Sequence, residues 1–263
     1  MPSTFKRPAL RLLPALLTAA LAACGTGSGT TTPPGTPPVT QLPAAGAYTM
    51  SGVVRNSAGQ PVAGAKVFAG HTVYYNTNAL GVTDANGRYS VSVREPAGSW
   101  YAGGQVTREY HGRTYTFELH PDDPAPFNGA SGAVRNFEWR LTGPRPDGGT
   151  YGGTVMVYAD FFDPELLDLL SDVELTLTPD GPLVDGSPGR VITSGLSQTP
   201  EGDGVRDVPI GRYRVTARLG QGAAARDLRI RVRNVGEFDS GVTTTFQQNG
   251  SGHNVELEVR RAP

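Results

Sequence analysis

Thr83-Asp84-Ala85-Asn86-Gly87-Arg88-Tyr89-Ser90-Val91-Ser92-Val93-Arg94 is the stretch whose reading decides the fold. A polar turn ending in glycine runs into strict alternation. Tyr89, Val91 and Val93 face one way, and Arg88, Ser90, Ser92 and Arg94 face the other. Period two marks a strand with one buried and one wet face, and Asn86-Gly87 tolerates the positive φ of a tight hairpin. The pattern returns at Phe137, Trp139 and Leu141, at Val173, Leu175 and Leu177, and at Val255, Leu257 and Val259. Gly (35) and Pro (22) make up more than a fifth of the 263 residues, which favours short strands and many turns over helices. The expected class is all-β.

Working outward, Gly52-Val53-Val54 and Gly59-Gln60-Pro61-Val62-Ala63-Gly64-Ala65-Lys66-Val67 precede this stretch. Together with Asp84-x-x-Gly87-x-Tyr89 they resemble the carboxypeptidase regulatory-like domain. The resemblance covers about 47–142 and implies a transthyretin-like sandwich that serves as an accessory module. Residues 149–261 repeat the plan more weakly, with Pro209-Ile210-Gly211-Arg212-Tyr213 in place of the family's Pro-x-Gly-x-Tyr. The expectation is two tandem immunoglobulin/transthyretin-like β-sandwiches joined by Gly143-Pro144-Arg145-Pro146-Asp147-Gly148-Gly149. Within the second, Pro164 to Leu170 suits a short helical turn capped by Asp163, its leucines plugging one end.

Upstream, Lys6, Arg7 and Arg11 precede an apolar run from Leu12 to Ala23, the form of a secretory signal. Leu21-Ala22-Ala23-Cys24 resembles the lipobox of bacterial lipoproteins, and Cys24 is the chain's one cysteine. The expected organisation is a signal peptide over 1–23, then a Gly/Thr/Pro-rich disordered tether over 24–46 lipidated at Cys24. Each buried acyl methylene contributes roughly 0.8 kcal/mol, so a multiply acylated cysteine holds firmly. Gly25 stands where an inner-membrane retention signal would place Asp, so the resemblance implies the outer membrane of the envelope.

Removing Lys6, Arg7 and Arg11 leaves 20 basic against 24 acidic residues, a net charge of −4 with no footprint for nucleic acid. His71, His111, His120 and His253 show no zinc-hydrolase spacing. Glu118 and His120 share a strand face with Asp122 and Asp123 just beyond, and a solvated strand end explains them. No nucleophile elbow or phosphate-cradling loop is present, so neither catalysis nor a cofactor or metal is expected.

Two features suit binding. Neighbouring aromatics, Tyr74-Tyr75 and Trp100-Tyr101, should each turn one ring outward, and exposed rings stack on sugars. Arg212, Arg214 and Arg218 alternate with apolar residues, as do Arg229, Arg231 and Arg233. If the two runs form one hairpin, six guanidinium groups share its outer face, with Glu256 and Glu258 to balance them. Trp100, Tyr101, Arg214 and Arg231 are thus the candidate ligand contacts. The expected role is that of a non-enzymatic envelope lipoprotein with structural or protein-interaction domains, its partners being the membrane and an envelope protein or polysaccharide. The alternatives are a carbohydrate-binding lipoprotein and an accessory subunit of a separate enzyme.

Overall fold

A computed structural model describes residues 46–199, 202–250 and 252–262, and all-β is what it shows. The expected signal peptide and the tether up to residue 45, Cys24 included, lie outside the described residues. The first ladders use β1 (Thr49–Asn56), β2 (Lys66–His71), β3 (Asn78–Val82), β4 (Arg88–Ser92), β5 (Ser99–Tyr110), β6 (Arg113–Leu119), β7 (Phe127–Asn128), β8 (Ala133–Val134) and β9 (Phe137–Trp139). One sheet has the order β4-β1-β8, with β9 also parallel to β1; the other has the order β3-β2-β5-β6, with β7 on β5. Tyr89, Val91, Val93, Trp100, Val106, Phe117 and Trp139 fill the space between them.

The turn at 84–87 differs from the expected hairpin. It joins β3 of one sheet to β4 of the other, so it is an arch between layers. Asp84 Oδ1 accepts the main-chain N–H groups of Asn86 (2.8 Å) and Arg88 (2.9 Å). Gly87 has φ +70°, and a Cβ there would lie 2.4 Å from the Val54 carbonyl oxygen, so no other residue fits. Asn56 Oδ1 likewise accepts Ala58 N–H (3.1 Å) and Gln60 N–H (2.9 Å).

The second ladder runs through β10 (Gly153–Ala159), β11 (Val173–Pro179), β12 (Ile192–Gly195), β13 (Ser197–Thr199), β14 (Gly202–Val208), β15 (Arg212–Leu219), β16 (Arg226–Val232), β17 (Val235–Asp239), β18 (Val242–Thr245), β19 (Gln247–Asn249) and β20 (Gly252–Arg261). Its order is β12-β11-β15-β16-β20-β10-β14-β13, with β10 and β20 parallel. Val155, Leu175, Leu177, Tyr213, Ile230 and Leu257 are fully or almost fully buried. Pro164–Asp172 is a 3-10 turn that buries Leu166 and Leu170 but leaves Leu167 exposed. Asp163 does not cap it with its side chain. The carboxylate is taken instead by Arg261, whose Nε lies 3.0 Å from Oδ1, and Arg261 holds it below the usual carboxylate range.

No ladder crosses from the first strands to the second among the described residues, yet their side chains mesh. Tyr115 OH donates to Phe246 O (2.6 Å), and Tyr110 OH donates to Pro182 O (2.7 Å) while accepting Arg212 N–H (2.9 Å). The connecting segment is pinned: Asp207 accepts Gly143 N–H (2.8 Å) and Gly152 N–H (3.0 Å). His253 lies in this seam, its ring stacked on Phe117 with centroids 5.0 Å apart. It is buried with no partner for Nε2, and desolvation, aided by Arg145, pushes its pKa down to about 4.

The unfolded chain protonates His253 near its ordinary 6.5, whereas the folded chain resists until about pH 4. Between those values the unfolded state binds more protons, so stability is full above pH 6.5 and falls toward pH 4. Urea unfolding at pH 7.5 and 4.5 should show an acid-dependent loss of about 2–3 kcal/mol that His253→Phe lacks.

Candidate functional site

The loop between β2 and β3 is organised by one buried side chain. His71 ends β2, and its Nδ1 accepts the main-chain N–H groups of both Val73 and Tyr74, each at 3.2 Å. Two donors converging on Nδ1 place the ring proton on Nε2, which faces Ala97 O at 3.4 Å. Thr72 N–H and its hydroxyl both donate to Ser99 O (3.0 and 3.1 Å), and His71 N–H donates to Thr77 O (2.9 Å). The bend is fixed at both ends and carries Val73, Tyr74 and Tyr75 outward, with Tyr75 fully exposed. The Tyr74 ring rests against the His71 imidazole, centroids 4.7 Å apart, so one of its faces is backed.

Strand alternation settles the Trp100-Tyr101 pair. Trp100 pairs with His71 across β5 and β2, turns inward and is fully buried, its ring edge-on to His71. Trp100 is therefore a core residue, which corrects the expectation that it contacts ligand. Tyr101 turns outward and is 43% exposed. Its ring lies over Gly70, its cross-strand partner, where a Cβ would come within 2.2 Å of ring carbon. Phe68 lies over Gly103 in the same way, and the two rings meet edge to face at 6.1 Å. Leu80 and Val82 on edge strand β3 extend this apolar face. Gly70 and Gly103 inside strands were the legible signal, since a strand glycine marks close approach of another group. The part played by His71 had no signal in spacing.

The arginine ladder is not one face. β15 and β16 pair only at Arg218↔Asp227 and Leu219↔Arg226, after which β15 runs beside β11 and β18 while β16 runs beside β20. The expected six-guanidinium surface is thereby overturned, because the two strands diverge at the corner. Arg231 Nε meets Glu258 at 2.9 Å and Arg233 meets Glu256 at 3.2 Å, the balance anticipated from the closing strand. Arg231 also lies over the Phe238 ring. Arg214 is exposed and has no ion-pair partner among the described residues.

No family model matches the chain, and no curated protein matches it. Among solved structures it is similar to the Bacillus anthracis TIE protein, with 12% identity and a TM-score of 0.36 over 81% of this chain and 34% of that one. It is also similar to a streptococcal ancillary pilin (12% identity, TM-score 0.24, 81% of this chain and 62% of that one). A third is the C-terminal fragment of the pilus adhesin SpaC from Lactobacillus rhamnosus GG (11% identity, TM-score 0.24, 82% and 98%). The chain spans about a third of the TIE structure it matches.

Glu118, His120 and Asp147 come together, but Arg145 already bridges the carboxylates at 2.6 Å to Glu118 and 2.8 Å to Asp147. That cation holds the Asp147 carboxyl below its usual range, and His120 Nδ1 is engaged with Tyr151 OH at 3.1 Å. Asp122 and Asp123 point elsewhere, to Asn136 and Arg135. The group is a polar clasp. Phe161 and Phe162 are also exposed, before the 3-10 turn, with the arginines behind them tied to acids. The loop with Tyr101 is the better-built site.

Two outcomes check these assignments. His71→Ala should speed amide exchange at Val73 and Tyr74 and admit protease cleavage within 72–78, with residues outside the loop still protected. Arg231→Ala strands the buried Glu258 carboxylate and should cost roughly 3 kcal/mol in urea unfolding, whereas Arg214→Ala should stay within about 0.5 kcal/mol.

Proposed function

We propose that this chain is an exported, lipid-anchored protein of the cell envelope whose β-sandwich body has a structural or interaction role and catalyses no reaction. The observation that carries the interaction role is the His71-organised loop. The N–H groups of Val73 and Tyr74 are taken by His71 there, so the segment that carries Tyr74 and Tyr75 outward is restrained before anything binds. A frame this invested in presenting uncharged rings suits recognition.

Anchoring rests on the sequence. The basic start and the apolar run support it, and in Leu21-Ala22-Ala23-Cys24 the sole thiol falls at the position that accepts a diacylglyceryl group in the lipobox this stretch resembles. Gly25 favours the outer membrane. The resemblance to carboxypeptidase regulatory-like domains supports the same reading, because in that family the sandwich accompanies function without performing the chemistry.

Cys24→Ala should leave the protein unlipidated. Detergent phase partition should move it from the detergent to the aqueous phase, and intact mass should show the native chain heavier by its acyl groups. A native chain recovered with residues 1–23 attached and an unmodified thiol would overturn the anchoring.

A further inference from the structure

We infer that the loop between β2 and β3, together with Tyr101, is a binding site for a neutral polysaccharide, a reading that rests on the interaction role proposed above. His71, Tyr74, Tyr75, Asn76, Asn78 and Tyr101 line one concavity at the end of β2, where the loop to β3 leaves the sheet. Each component fits a sugar ring. The Tyr74 ring has one face backed by the His71 imidazole, and the Tyr101 ring has one face backed by the Gly70 main chain. Both rings remain exposed, Tyr74 at 55% and Tyr101 at 43%. The negative face of an aromatic ring attracts the weakly positive C–H groups that line one side of a pyranose. Tyr75 adds a third, fully exposed ring.

The polar rim completes the match. Asn76 and Asn78 flank the rings, and their side-chain amides make no hydrogen bond to the protein among the described residues, which leaves donors and acceptors for hydroxyl groups. Asn76 is held at φ +53°, a left-handed conformation that asparagine tolerates and that turns the chain sharply beside Tyr75. A few placed polar groups around apolar faces is the composition of a ligand site.

Charge decides the class of polymer. No acid, lysine or arginine lines the concavity, and the one ionisable base, His71, is buried with both nitrogens engaged. A uronate or sulfate polymer would find no counter-charge there. An uncharged polysaccharide loses nothing by that, and its contact should be insensitive to salt.

The test uses the mature lipidated protein in detergent, run in native gels cast with amylose, mixed-linkage β-glucan or galactomannan, and with polygalacturonate as the charged comparison. Retardation by at least one neutral polymer is expected, unchanged in about 0.5 M salt, where the Debye length has fallen to roughly 4 Å. Tyr74→Ala and Tyr101→Ala should each weaken it by about three- to tenfold, which is the size of a lost ring contact. Tyr75→Ala serves where folding is in question, since that side chain touches no core, and it too should weaken retardation. Absence of retardation by every neutral polymer would overturn the site, as would retardation that all three variants keep, or binding to polygalacturonate alone that salt abolishes. A lipidated chain that binds none of these polymers defeats the glycan site and leaves the anchoring intact. An unlipidated native chain that binds them defeats the anchoring only.

Discussion

A bent main chain turns successive N–H groups toward the same point, and in a body without disulfides something at that point must accept them. This constraint governs the molecule. Asn56, His71, Asp84 and Asp207 each place one side chain where two amide groups converge. Each such bond contributes on the order of 0.5–1.5 kcal/mol net, least at Asp84, where donors and acceptor are exposed. The strands between these points are short and many, and their pairing would slip if the bends were free to wander. Gly87 shows how tight the tolerance is, because its neighbour is a carbonyl oxygen and cannot move aside.

The same device serves presentation. At Asp84 and Asn56 it joins strands; at Asp207 it clamps the segment connecting the two sets of ladders; at His71 it lifts a loop off the sheet and leaves tyrosines in water. Exposed rings on an unrestrained loop would fold back onto the apolar outer face formed by Phe68, Leu80 and Val82. Here the imidazole holds Tyr74 and the glycine main chain seats Tyr101.

Alternation in Arg88 to Arg94, Phe137 to Leu141 and Val173 to Thr178 was sufficient to read strands and their inward residues, since period two is a direct projection of the pleat. Trp100 against Tyr101 needed one further fact, the choice of face, which only the partner strand supplies. The arginine ladder failed for a related reason: local alternation is blind to where two strands part company, and β15 and β16 separate after two residue pairs. Asp163 looked like a cap because Pro164 follows it, but the competing donor, Arg261, lies far away in sequence and near in space. Long-range partners of this kind, His71 with Ala97 and Tyr115 with Phe246 among them, leave no periodic trace.

The seat beneath Tyr101 carries an evolutionary corollary. On most protein surfaces a small residue is the one most freely exchanged, yet Gly70 has an aromatic ring resting where its first side-chain carbon would be. A side chain there would have to displace that ring, while Tyr75, with nothing beneath it, could vary among aromatic types. In descendants of this gene a glycine kept wherever position 101 stays aromatic would be the lasting imprint of that face.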